Sequence, residues 1–208
     1  MLEKAMELAR ESLRIESKAI SDILAYLDEE AFARAVDALS KAPRIITSAC
    51  GNSGVAAMKL AHSLCCIERP AKFMPPGEAL HGGLGCVQAG DVVVLSSRGG
   101  KTAELMPIAR ACKSKKAIIM AVTENMDSPL ARQADIILPM RIERESDRLN
   151  VMATSSFMVL VAIFDALLVA IMEETGYRME QFALIHPGGA VGERLNPSYS
   201  LKQDGILC

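Results

Sequence analysis

The sequence has no tryptophan, only three histidines and no excess of either charge. Lysine and arginine number 23 against 25 aspartates and glutamates, a formal charge of −2. Without a basic excess or a basic run, the chain has no electrostatic footprint for nucleic acid. Residues 1–41 are mixed to acidic and contain no basic recognition helix. Zinc-ligand spacing is absent from the six cysteines (Cys50, Cys65, Cys66, Cys86, Cys112, Cys208), and a chain of 208 residues does not need disulfide staples. Reduced thiols in a cytoplasmic protein are the expectation. Residues 1–41 are charged throughout, so no signal peptide is expected at the start of the chain. One stretch has the length of a membrane span, Val151–Met172, with Asp165 its single charge. That aspartate and the mixed flanking charges point instead to a helix buried in a core or a subunit interface, so no membrane contact is expected. There is no low-complexity tract. The remainder, half of it hydrophobic, is the composition of one soluble domain with a sizeable core.

The most informative stretch is Asp91–Glu104, DVVVLSSRGGKTAE. Val92–Leu95 is a short continuous apolar run, which suits a strand buried on both faces of a parallel sheet. Serines, an arginine and glycines follow, and a helical pattern opens at Thr102. A strand, a small polar loop and a helix start make a phosphate-binding geometry: unpaired N–H groups, a favourable helix dipole, close backbone approach at glycine, and hydroxyl donors. An ordinary strand-to-helix turn has the same look.

Upstream, Leu2–Leu27 and Glu29–Lys41 read as an amphipathic helical hairpin. Its stripe is Leu8, Ile15, Ile20, Ile23, Leu24 and Leu27, continued by Phe32, Val36 and Leu39. Strands are expected at Arg44–Ala49, Ala71–Met74, Val92–Leu95, Ala117–Val122 and Ile136–Met140. The helices between them are expected at Val55–Cys66 (apolar positions Met58, Leu60, Ala61, Leu64 and Cys65), Thr102–Lys113 and, briefly, Asp127–Gln133. Alternating βα units of this length specify an α/β, three-layer, doubly wound (flavodoxin-like) fold with a parallel five-stranded sheet. The expected organisation is a single domain, with a hairpin at 1–41, an α/β core at 42–195 and a tail at 196–208. Thr154-Ser155-Ser156 is expected to cap the long apolar helix. The loop Cys50-Gly51-Asn52-Ser53-Gly54 repeats the small-residue arrangement of 96–102. Neighbouring loops at the carboxyl ends of parallel strands converge on one crevice, and two such loops make a phosphate clamp.

Of the histidines, His62 lies within a helix and reads as a core or groove residue. His81 and His186 each sit in a Gly/Pro-flanked loop, where side chains are held for binding. Glu78 and Glu145 are acidic residues in comparable loops. Histidine and glutamate beside a phosphate clamp suggest proton shuttling on a phosphorylated small molecule.

The motifs GNSG at 51–54, PPGEALHGGLG at 75–85, SSRGGKTAE at 96–104, ATSS at 153–156 and FALIHPGGAVGERL at 182–195 run in one order from about Pro43 to Leu195. In this they resemble the sugar isomerase (SIS) domain, most closely the arabinose 5-phosphate isomerases. The resemblance implies an aldose–ketose isomerase acting on a sugar phosphate through an enediol, with no metal or organic cofactor. It places Glu145, His81 and His186 at catalytic positions, with His186 reaching the site of a neighbouring subunit. It sets Asn52, Ser53, Ser97, Gly100, Lys101 and Thr102 at the substrate and its phosphate. A homodimer or homotetramer with a shared site follows. The family's paired CBS modules have no room in Asn196–Cys208, so the catalytic-type domain alone is expected.

Two loops depart from the family pattern. Asn52 stands where its first loop usually has lysine. In the second loop, usually S-x-S-G-E-S, Gly99 replaces the second serine and Lys101 the glutamate. The exchange either preserves local positive charge or marks a different sugar phosphate, such as a phosphohexulose, or binding without turnover. Arg98 and Lys101 read equally as solvated charges or as phosphate contacts. A non-catalytic phosphosugar sensor is therefore the competing class.

Overall fold

The computed structural model describes residues 2–188, 192, 194 and 195. Five short apolar segments form its sheet: β1 (Ile45–Ala49), β2 (Ala71–Phe73), β3 (Val92–Ser96), β4 (Ile118–Thr123) and β5 (Ile136–Pro139). All pairings are parallel and the strand order is β2-β1-β3-β4-β5. Every residue of β1 and β3 is buried, as expected of strands covered on both faces.

The helices are α1 (Leu2–Ser21), α2 (Ile23–Tyr26), α3 (Glu29–Lys41), α4 (Gly51–Cys65), α5 (Pro76–Ala79), α6 (Leu105–Ser114), α7 (Ser155–Glu174) and α8 (Met179–Ile185). The expected hairpin is present, with a break at Asp22 between α1 and α2 and with Asp28 capping α3 by accepting from the Ala31 N–H at 2.9 Å. Alternate strand residues face opposite layers. Ile45, Val92, Val94, Met120 and Val122 meet Leu39, Leu60, Phe164 and Leu167 from α3, α4 and α7. Ile46, Val93, Leu95, Ile119 and Ala121 meet Leu105, Ile108 and Cys112 from α6. The result is the doubly wound three-layer architecture.

α7 is long and apolar enough to cross a membrane, and in the fold its Val159, Ile163, Phe164, Leu167 and Ile171 are buried, with α1, α3 and α4 packed against it.

Several expectations are corrected. α6 begins at Leu105, not Thr102, because Pro107 lacks an N–H and crowds the carbonyl four residues back, so it is tolerated only in a first turn. Over Asp127–Gln133 only Ala131–Gln133 is helical, as a 3₁₀ turn, with Pro129 ahead of it and Ser128 Oγ accepting from the Ala131 N–H at 3.2 Å. Leu8 and Leu24 of the hairpin stripe are 59% and 82% exposed, and Met58 and Cys65 are also exposed. Helical spacing puts these side chains on a face that the described residues leave exposed. The tail Asn196–Cys208 and Gly189–Val191 of the HPGGAV motif lie outside the described residues.

Candidate active site

β1 and β3 are neighbours in register, with Ala49 opposite Ser96. From these adjacent ends the chain leaves β1 into α4 on one face and β3 into α6 on the other. The resulting opening at the carboxyl edge is the switch point of a 2-1-3-4-5 sheet, where ligands of such folds bind.

The loop after β1 is the first turn of α4. Gly51 takes a φ of +58°, and a Cβ at Gly54 would lie 2.8 Å from the Ala49 carbonyl oxygen, so the helix starts hard against its strand. The N–H groups of Gly51, Asn52 and Ser53 have no acceptor within the helix. Asn52 is exposed and Ser53 half-buried.

The loop after β3 is locked by its own side chains. Ser97 Oγ lies 2.7 Å from Thr102 Oγ1 and accepts from the Gly100 N–H at 3.1 Å. Gly100 has a φ of +63°, and a Cβ there would be 2.0 Å from Ser128 Oγ, so no other residue fits. Among the described residues, the N–H groups of Gly99, Lys101, Thr102 and Ala103 take no protein acceptor. Lys101 is exposed and forms no ion pair with another described residue. The two loops together offer hydroxyls, free N–H groups and one cation at adjacent strand ends, which suits an anion.

Arg98 is neither a free surface charge nor spread into solvent. Its Nε donates to Glu124 at 2.8 Å and its Nη1 to Glu145 at 3.0 Å. Glu145 is only 2% exposed. Its other oxygen accepts from the Thr154 N–H at 3.0 Å, the Ser156 N–H at 3.1 Å and Thr154 Oγ1 at 3.2 Å. Burial works to raise the Glu145 pKa, but the hydrogen bonds from Ser156 and Thr154 outweigh it and hold the carboxyl below its ordinary value. Thr154 was the expected cap of α7, yet its side chain makes no capping bond. The Glu145 carboxylate takes that place, an anion at a helix N-terminus. Ser96 Oγ and Ser155 Oγ are buried nearby in sequence to these groups with no protein partner.

β2 delivers the third loop to the same edge, since Phe73 pairs with Thr47 of β1. Ser48 Oγ donates to the Met74 carbonyl at 2.7 Å and so fixes the strand exit. α5 follows, the His81 N–H bonds the Glu78 carbonyl at 3.1 Å, and Gly82 turns the chain with a φ of +105°. His81 and Glu78 are both exposed.

His186 is elsewhere. α8 is anchored where α4 ends: Tyr177 Oη donates to the Cys66 carbonyl at 2.9 Å and Gln181 Nε2 to Glu68 at 2.7 Å. α4 has 15 residues and so is about 22 Å long, with the Gly51–Ser53 loop at its other end. The chain therefore brings Asn52, Ser53, Ser97, Gly100, Lys101, Thr102, His81 and Glu145 to one edge of the sheet and leaves His186 apart. His62, expected in a core or groove, is exposed on α4, with Nε2 3.7 Å from Cys66 Sγ. The described concavities lie away from the crevice. One of about 350 Å³ separates α1 from Glu143 and Arg144, and one of about 270 Å³ lies between Met172, Tyr177 and Phe182. Among the described residues no cluster of His, Cys, Asp and Glu fits a metal ion.

Residues missed at the sequence level are Thr154, Ser156 and Glu124, which fix Glu145 and Arg98. The signal for two of them is the ATSS motif at 153–156.

Residues 38–170 match the family model described as SIS domain. The chain belongs to the SIS domain family. An SIS relative, the arabinose 5-phosphate isomerase KdsD of Pseudomonas aeruginosa, is 34% identical over 188 residues, covering 90% of this chain and 57% of that protein. The chain thus spans just over half the length of that curated relative. Among solved structures, a proposed sugar-phosphate isomerase of Listeria monocytogenes is 42% identical with a TM-score of 0.87, covering 88% of this chain and 97% of that one. An E. coli CFT073 protein in complex with A5P is 28% identical with a TM-score of 0.82, covering 88% and 98%.

Proposed function

We propose that this protein is an aldose–ketose isomerase of sugar phosphates, interconverting arabinose 5-phosphate and ribulose 5-phosphate through an enediol. The observation that carries the reading is the pair of loops at the β1/β3 switch point, with free N–H groups and hydroxyls on adjacent strand ends. The names of the KdsD relative and of the E. coli complex with A5P support the choice of sugar.

In this reading Asn52, Ser53, Ser97, Gly100, Lys101 and Thr102 hold the phosphate end. His81, on the neighbouring loop, donates to the sugar oxygens, and His186 of an adjacent subunit carries the proton between C2 and C1. Glu145 is an ionised carboxylate whose lone pairs are already engaged by donors. It holds Arg98 and the start of α7 in place, and leaves proton transfer to the imidazoles. No metal or organic cofactor enters. The protein is a cytoplasmic homo-oligomer, dimer or tetramer, because each crevice lacks its own chain's His186. The exposed apolar side chains Val55 and Met58 on α4, Val169 on α7 and Leu184 on α8 support that assembly.

A second reading, a phosphosugar-binding module without turnover, is favoured by the neutral Asn52 and the cationic Lys101 where the resemblance calls for lysine and glutamate. Incubation with ribulose 5-phosphate in deuterated water separates the two. Isomerase chemistry places deuterium on carbon in an aldose product. Tight binding without carbon-bound deuterium would overturn it in favour of the module.

A further inference from the structure

We infer that Phe182 is the positioning residue for His186: its carbonyl selects the imidazole tautomer and its ring holds the imidazole in that orientation. The assignment of a proton-transfer role to His186 rests on the reading above.

α8 ends at Ile185, and Pro187 keeps the residue before it out of the helical region; His186 accordingly sits at φ −121° and ψ 63°. Its side chain folds back one turn. The two rings lie 3.8 Å apart, centroid to centroid, and 10° from parallel. The Phe182 carbonyl accepts the His186 backbone N–H at 3.0 Å and faces Nδ1 at 3.2 Å. A carbonyl oxygen has two lone pairs and no proton to give. In the neutral imidazole, therefore, the hydrogen sits on Nδ1, since the other tautomer would set lone pair against lone pair. Nε2, on the far side of the ring, is left with the free lone pair that a base needs.

The stack matters as much as the carbonyl. A half-turn of the imidazole about its Cβ–Cγ bond would present carbon to the carbonyl and exchange the roles of the nitrogens. A ring pressed against one face hinders that rotation. Phe182 is half-buried and lines, with Met172, Tyr177 and Met179, the hollow between the end of α7 and the start of α8. Among the described residues, the ring stack and the hydrogen bonds that orient the His186 imidazole thus come from one residue four positions earlier.

The chain has only three histidines, which makes the tautomer directly observable by nitrogen NMR on protein labelled at histidine. His62→Gln and His81→Gln spectra assign the signals. In the wild-type protein the His186 signals should have the Nδ1–H pattern when the ring is neutral. In Phe182→Leu the carbonyl remains but nothing holds the ring to it, so the pattern should relax toward the mixture seen in free imidazole. The variant's kcat should drop ~10- to 100-fold, the cost of a misoriented reacting group, with KM unchanged. Phe182→Tyr, which keeps the ring, should restore both the pattern and kcat.

An Nε2–H pattern in the wild-type protein overturns the proposal, and so does an unchanged pattern in Phe182→Leu. A fall in kcat that Phe182→Tyr fails to recover, or that comes with a lowered melting temperature and an unaltered pattern, overturns it too. If the tautomer behaves as expected while the wild-type protein isomerises no sugar phosphate, the positioning stands and the isomerase reading falls alone.

Discussion

Around the crevice, side chains far apart in sequence hold one another. Arg98 reaches Glu124 and Glu145, Glu145 closes on Thr154 and Ser156, and Gly100 abuts Ser128. The His186 ring, at the end of a seven-residue helix, is held among the described residues by Phe182, four residues away. The first arrangement is as firm as the sheet it rests on, because undoing it means separating strands and helices. The second is as firm as one turn of a peripheral helix. On the proposed function the first region grips the substrate and the second bears the reagent, and with long-range and local support respectively the two should fail independently. Substitutions in the two regions can test whether they do.

The largest effect expected is that of His186→Ala. It should lower kcat by ~10²- to 10⁴-fold, the range for a lost general acid–base group, and leave phosphosugar affinity and melting temperature unchanged. An equal loss of affinity, measured by calorimetry, would place His186 on the gripping side and break the contrast. Gly100→Ala should do the opposite. Its positive φ and the clash with Ser128 should cost about 3 kcal/mol, read in urea unfolding, and phosphosugar binding should fall with it.

Glu145→Gln comes next, at about 2 kcal/mol, less than for a wholly buried ion pair because the Arg98 side chain is 41% exposed. The sign with pH is fixed by the depressed pKa of the folded state. Stability from Glu145 is present above the ordinary carboxylate value of 4.5 and is lost as pH falls below it toward the folded value. Acid unfolding should therefore be shallower in Glu145→Gln than in the wild type, and identical slopes would show that the cage contributes nothing. Lys101→Ala should have the smallest effect. An exposed lysine with no ion-pair partner among the described residues should leave unfolding unchanged and weaken anion binding by about threefold, a difference that fades as salt is raised.

The sequence disclosed most of what local chemistry controls. The continuous apolar runs at Ile45–Ala49 and Val92–Ser96 are strands, the order of βα units requires the doubly wound sheet, and the serine and glycine loops lie at the switch point. The misses have equally local causes. Pro107 and Pro129 moved or erased helix starts. The Arg98–Glu145 clasp was out of reach for a different reason. The two residues are 47 positions apart, and neither flanking segment carries a period that ties an arginine to a particular carboxylate. His186 falls between these cases: its loop was recognisable, but its distance from its own crevice is a fact of three dimensions.

α4 is the one element common to both halves. Its first turn supplies N–H groups to the crevice, and just beyond its last turn Cys66 and Glu68 moor the segment that carries His186. A helix is stiff along its axis, so α4 behaves as a strut: whatever seats an anion against one end sets the height of the mooring at the other. In the proposed shared-site oligomer, the geometry offered to a neighbouring subunit would then be referenced to the occupancy of the chain's own crevice.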